Sequence, residues 1–218
     1  MPCISYGEPE TAARTLSGLD QEGQKIVAEA KAVFAEENVE AKTELLHGDD
    51  VADTISEFAE NFDLIVMGAH GEKQKDPYTL GSVTEKVITH ANCPIMIVKR
   101  TSALSNMLVC VDGSEPSTRA LKYAASPAEK MGLKITLLNV QEERLHKSSL
   151  DVAKELGETV FATSLNAIEG EKAKVEKTLE FGAPSDRIVE VAQKGGYDLI
   201  VLGTRGLGTI EISAWKRE

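Results

Sequence analysis

The stretch GAHGEKQKDPYTLGS, residues 68–82, spaces its glycines as G-x2-G-x9-G-S, with Gly68, Gly71 and Gly81 followed by Ser82. Glycine lets backbone N–H groups approach a ligand closely, and a helix N-terminus adds unsatisfied donors with a partial positive charge. Gly68 and Gly71 would shape a turn after a short apolar run, and Gly81 with Ser82 would open a helix. Phosphate oxygens could then accept bonds from several amides and from the Ser82 hydroxyl, with no lysine required. The pattern is neither the G-x-x-x-x-G-K-[ST] of a P-loop nor the G-x-G-x-x-G dinucleotide fingerprint. A structural alternative stands beside it, because Ser82 followed three residues later by Glu85 is also a capping box.

A second candidate is Asp112, which follows the apolar run MLVCV and opens DGSEPS. Open parallel sheets bind ligands outside the carboxyl ends of their strands, where the strand order reverses. If the strands before Asp112 and before a glycine loop are neighbours, the carboxylate faces the glycines across a crevice. Asp112 reads equally well as an Asx-type turn former ahead of a Ser114 helix cap. The remaining chemistry-bearing residues are isolated. His47, His70, His90 and His146 have no second ligand nearby in sequence, Cys110 alternates with apolar neighbours as a core thiol does, and Cys93 stands before Pro94 at a strand start. No nucleophile–base pair, carboxylate dyad or metal cluster can be assembled, so a dedicated enzyme is not expected, and any nucleotide hydrolysis would be slow and incidental.

The elements that must position these residues come as a repeat. FDLIVMGAHG at 62–71 returns as YDLIVLGTRG at 197–206, and GDDVADTISEFA at 48–59 corresponds to GAPSDRIVEVA at 182–192. Each copy alternates short β-rich runs with amphipathic helical patterns, which is parallel βαβ construction. The first copy reads as a helix through Leu16–Phe34, a strand near 39–46, a helix near 50–60, the strand DLIVM, the glycine loop, a helix near 82–91 and the strand PIMIVK. RTSALS, 100–105, reads as the linker. The second copy reads as the strand MLVCV, a helix from Glu115 to Met131 capped by Gly132, the strand KITLLNV and a helix around 148–169. The strand KVEKTLEF, a helix near 185–194 and the strand DLIVL follow. Pro127 should bend or shorten the helix that contains it.

Composition bounds the reading. The 218 residues, 42% hydrophobic and 27% charged, are those of an ordinary globular chain, and the net charge of -11 argues against a nucleic-acid partner, which demands a basic face. Cys3, Cys93 and Cys110 form an odd, scattered set that suggests neither a disulfide framework nor zinc, and a reducing cytoplasm fits them best. The N-terminus has no basic start followed by an apolar segment, and no apolar run approaches ~18 residues, so neither secretion nor a membrane span is expected.

The glycine spacing, the run HANCPIMIV after it and MLVCVDGSEPSTRAL together resemble the universal stress proteins, in particular their tandem two-domain members. The resemblance covers nearly the whole chain. It implies an α/β fold of open parallel sheets, flavodoxin-like or Rossmann-like, with five strands ordered 3-2-1-4-5, that dimerises and in one subgroup binds ATP, with magnesium if bound. In that subgroup the residue matching Asp112 contacts the adenosine end, the residue matching Val140 lies by the base, and the glycine loop holds the phosphates. Both repeats depart from the pattern. Residues 1–100 lack the first strand, helix and second strand, hence any counterpart of Asp112 or Val140. Residues 106–218 keep Gly203 and Gly206 but carry Lys216 and Arg217 where glycine and serine belong, and lack the last helix and strand. Shortened chain ends would produce this, as would completion between repeats or between chains in a homodimer, where packing or swapping would cover open sheet edges. The expected role is a stress-response module that binds or senses adenine nucleotide. The alternative is a family scaffold that binds none and acts through dimerisation or a partner, and a slow nucleotide hydrolase comes third.

Overall fold

The computed structural model describes residues 9–71, 79–99, 103–142 and 150–203. The chain packs as two compact units, one built from the residues up to Met67 with Ser82–Met96, the other from Gly68–Gly81 and the residues from Ile97 on. Its architecture is α/β with parallel pairing throughout the larger sheet.

In the first repeat, helix α1 (Pro9–Glu36) ends in a Schellman turn: Val39 N–H donates to the Phe34 carbonyl at 2.9 Å and Asn38 N–H to Ala35 at 3.2 Å, with Asn38 itself left-handed at φ 56°. Helix α2 (Val51–Phe58) is capped by Asp50, whose carboxylate accepts from Ala52 N–H at 2.9 Å and Asp53 N–H at 3.0 Å. Strand β1 (Ile65–Gly68), helix α3 (Ser82–His90) and strand β2 (Ile95–Val98) complete the repeat, β1 and β2 forming a two-stranded sheet. Lys86 on α3 clamps α2, its ammonium lying 2.9 Å from Asp50 and 3.1 Å from Asp53. The hydrogen bond from Lys86 holds the Asp50 carboxyl below its ordinary range. Ala52, Ala59, Ile65 and Val87 make a small core here. Val66, pointing the other way from β1 by strand alternation, is 58% exposed.

One expected strand is missing. VEAKTELL, 39–46, takes no strand conformation, although KVEKTLEF in the second repeat has a closely similar pattern and does. A strand exists through its ladder, and the second repeat supplies a neighbour where the first, lacking the preceding strand, does not.

The second repeat follows the expected order. Strand β3 (Asn106–Cys110) leads to helix α4 (Glu115–Met131), then strand β4 (Lys134–Gln141), helix α5 (Leu150–Ala167), strand β5 (Lys174–Phe181), helix α6 (Pro184–Gly195) and strand β6 (Leu199–Val201). Helix α4 runs through Pro127 to Met131 rather than stopping short, and Gly132 at φ 69° closes it with a second Schellman turn. The sheet order is β5-β4-β3-β6, that is, the third, second, first and fourth strands of the repeat; a fifth strand is not among the described residues. Alternation sorts the side chains. Met107, Val109, Ile135 and Leu137 meet Leu121, Ala125 and Phe161 of α4 and α5 on one face, while Leu108, Cys110 and Leu138 meet Ile188 of α6 on the other. Asp198 fastens the amino ends of β3 and β6: its carboxylate accepts from Ser105 N–H and hydroxyl, both at 2.8 Å, and from Asn106 N–H at 3.0 Å. These bonds, led by the Ser105 hydroxyl, lower its pKa.

The two repeats should respond differently to truncation. Phe161 is 1% exposed, and Phe161→Ala is expected to reduce the unfolding free energy in a urea titration by about 3–5 kcal/mol. Val66→Thr, on the open face of β1, should change it by less than ~0.5 kcal/mol. Equal losses would contradict this division of the core.

Candidate functional site

The site is built at the carboxyl edge of the larger sheet. β3 pairs with β6 in the register Met107↔Leu199, Leu108↔Ile200, Val109↔Val201, so the strands carrying Asp112 and Gly203 are neighbours, as the crevice reading requires. Between them the chain order reverses: β4 and β5 lie on one side of β3, β6 on the other.

Past β3 the backbone turns through Asp112 and Gly113 into α4. Asp112 Oδ1 accepts from Ser114 N–H at 2.9 Å, the Asx turn foreseen as its structural role, and Gly113 takes φ 83°, where a side chain would be strained. Ser114 then caps α4, its hydroxyl accepting from Ser117 N–H at 3.3 Å, while Ser117 Oγ accepts from Asp112 N–H at 3.4 Å. Asp112 is half-buried, neither hidden in the core nor fully solvated.

Gly203 closes the other side. A Cβ there would lie 2.7 Å from both the Pro116 carbonyl carbon and Ser117 N, so only glycine lets the end of β6 rest against the first turn of α4. Val140, near the end of β4, is half-buried against Leu108, Cys110, Leu138 and Ile188. Gly206 lies outside the described residues, as do Cys3, His146, Trp215, Lys216 and Arg217. Burial pushes the Cys110 thiol up to about 12, which leaves it protonated and inert at neutral pH.

The loop of the first repeat is tied at its neck. Gly81 N–H donates to the Ala69 carbonyl at 2.8 Å, and Ala69 N–H donates to Val98 at 3.1 Å. A Cβ on Gly81 would stand 3.3 Å from His70 Cα, so this glycine permits the close approach of the two ends. Gly68, Gly71 and Gly81 hold no left-handed φ; close approach at Gly81 is the constraint that shows. Ser82 is exposed and is the first residue of α3, which places Gly81 at the cap position. His70 is exposed, and among the described residues no cluster of His, Cys, Asp or Glu could hold a metal. No helix among them is long and apolar enough to cross a membrane.

Sequence reasoning missed two buried amides. Asn139 Nδ2 donates to the Val111 carbonyl at 2.7 Å, and Gln141 Nε2 donates to Asn139 Oδ1 at 2.7 Å. The available signal was in KITLLNVQ, where polar residues continue the alternation set by Ile135 and Leu137.

Gly203→Ala should force the β6 end away from α4, lowering stability by about 1–3 kcal/mol. A thermal melt indistinguishable from that of the unaltered chain would refute the close approach.

Known proteins share sequence and fold with this chain. A 24% identical universal stress protein of Mycobacterium bovis aligns over 206 residues, 87% of this chain and 69% of its own length. One from Methanocaldococcus jannaschii is 43% identical over 84 residues, which are 38% of this chain and 49% of that protein. The chain thus spans about half the length of this relative. A solved universal stress protein from Archaeoglobus fulgidus shares the fold, with a TM-score of 0.68 at 22% identity, over 95% of this chain and 74% of the other. The universal stress protein family profile matches twice in tandem, at residues 2–99 and 104–213, and the chain belongs to that family.

Proposed function

We propose that the chain is an adenine-nucleotide-binding or -sensing protein of the stress response, taking ATP at the carboxyl edge of the second repeat. The observation that carries this reading is the pairing of β3 with β6, which sets Asp112 and Gly203 at the ends of adjacent strands where the chain order reverses. Asp112 would accept from the ribose hydroxyls at the adenosine end, and Val140 would lie along the base. Gly203, beside the N-terminus of α4, would offer its backbone amide to the phosphates, and Gly206 is proposed to do the same. The loop Gly68–Gly71–Gly81–Ser82 is proposed as a phosphate-binding loop in its own right. The donor set suits an anion with a ribose attached: a carboxylate for hydroxyl donors at one end, and backbone amides of the glycine loops at the other. Magnesium, where bound, would neutralise the phosphates. The role is binding, not catalysis.

A second reading, action through self-association or a partner, draws on a different observation. Leu19, Ile26, Val33, Phe58, Phe62 and Val66 of the first repeat are all exposed apolar side chains. Ile26, Val27, Leu46, Phe58 and Phe62 line a cavity of about 400 Å3 beside α1. Scattered exposed apolar residues are ordinary, but a concentration of this kind favours contact with something apolar.

Calorimetric titration of nucleotide-stripped protein with ATP and magnesium tests the first reading. Saturable binding in the micromolar range, about -8 kcal/mol, is expected, with a stoichiometry that counts the working sites. Asp112→Ala should raise Kd by roughly 10–100-fold, the effect of losing a charge-assisted hydrogen bond. No heat of binding at millimolar ATP would move the function to the second reading.

A further inference from the structure

On the other side of β3 from β6, β4 outlasts β3. Their ladder ends at Cys110↔Leu138, closed by Val111 N–H donating to the Leu138 carbonyl at 2.9 Å. β4 remains paired with β5 as far as Gln141↔Phe181, where Gly182 N–H still donates to the Gln141 carbonyl at 3.0 Å. Over residues 139–141, therefore, β4 is held on one side while its register with β3 has ended.

At that point the buried Val111 carbonyl accepts from the Asn139 side chain. A carbonyl can only accept, so the bond fixes which end of the Asn139 amide faces it. The oxygen is left to Gln141, whose Nε2 donates to it, and both amides are buried, Asn139 at 2% exposure. Helix α5 leaves room for them: a Cβ on Gly157 would come within 2.6 Å of Leu179 and 3.3 Å of Asn139 Oδ1. Two desolvated amides stand where Ile135 and Leu137 set an apolar pattern, and together they tie the end of β4 to the residue just before Asp112.

We propose that Asn139, backed by Gln141, is a positioning residue for nucleotide binding, fixing the separation of Asp112 from Val140 and so the width of the adenosine end of the crevice. The inference rests on the nucleotide reading above. It predicts that loss of the relay is felt through the nucleoside and not through the phosphates.

The test uses the full chain with Asn139→Leu, which removes the donor at similar size, and Gln141→Met, which keeps the Val111 bond but frees the Asn139 amide. Dissociation constants for adenosine, ATP and inorganic tripolyphosphate are measured beside thermal melts. Asn139→Leu is expected to weaken adenosine and ATP on the order of tenfold, and Gln141→Met roughly threefold, with tripolyphosphate unchanged. Unaltered adenosine affinity in either folded variant overturns the proposal, as does a parallel loss for all three ligands, which marks a purely structural role. Gln141→Met decides the matter should Asn139→Leu fail to fold. If the unaltered chain binds neither adenosine nor ATP, the nucleotide reading itself fails and takes this inference with it.

Discussion

A β-strand needs a neighbour, because each buried backbone N–H or C=O left unmet costs about 1–3 kcal/mol. β3 meets this demand on both edges, with β4 on one side and β6 on the other, and its residues Met107, Leu108 and Val109 are almost wholly buried. The rest of the second repeat depends on that arrangement. It fixes which faces receive α4, α5 and α6, and it brings the ends of β3 and β6 together at the point where chain order reverses. The same demand, unmet in the first repeat, leaves VEAKTELL without strand structure and β1 paired with β2 alone.

Much of this was legible in the residues. Short apolar runs such as MLVCV and KITLLNV mark strands, and Gly132 marks the end of α4, because local sterics and burial act within a few residues. Asp112 and Gly203 could be picked out from the repeat and the resemblance, although only the observed register makes them neighbours. What failed to show in the sequence depended on partners far along the chain. The segment 39–46 has strand composition but no ladder, and Pro127 lies within a helix whose packing holds it together through Ala124, Ala125 and Ala128. Asn139 and Gln141 showed only their place in the alternation of KITLLNVQ, because the carbonyl that Asn139 meets belongs to Val111, just past the end of β3.

Glycine serves three different purposes in this chain. At Gly132 and Gly196 it supplies the left-handed residue that ends a helix; at Gly203 and Gly81 it permits one backbone to touch another; at Gly113 it turns the chain from strand to helix. Only the second kind stands among the candidate ligand residues. At those positions an added Cβ would meet neighbouring backbone, so the glycine there reports space rather than flexibility.

The central claim is that nucleotide occupies the crevice between the ends of β3 and β6. Hydrogen–deuterium exchange with and without ATP, resolved to the peptides spanning Val111–Ser117 and Leu199–Gly203, tests it most directly. The account predicts that both peptides slow their exchange together on adding ATP, while the peptide covering α1 does not change. Saturating ATP that leaves both at their ligand-free rates would contradict it.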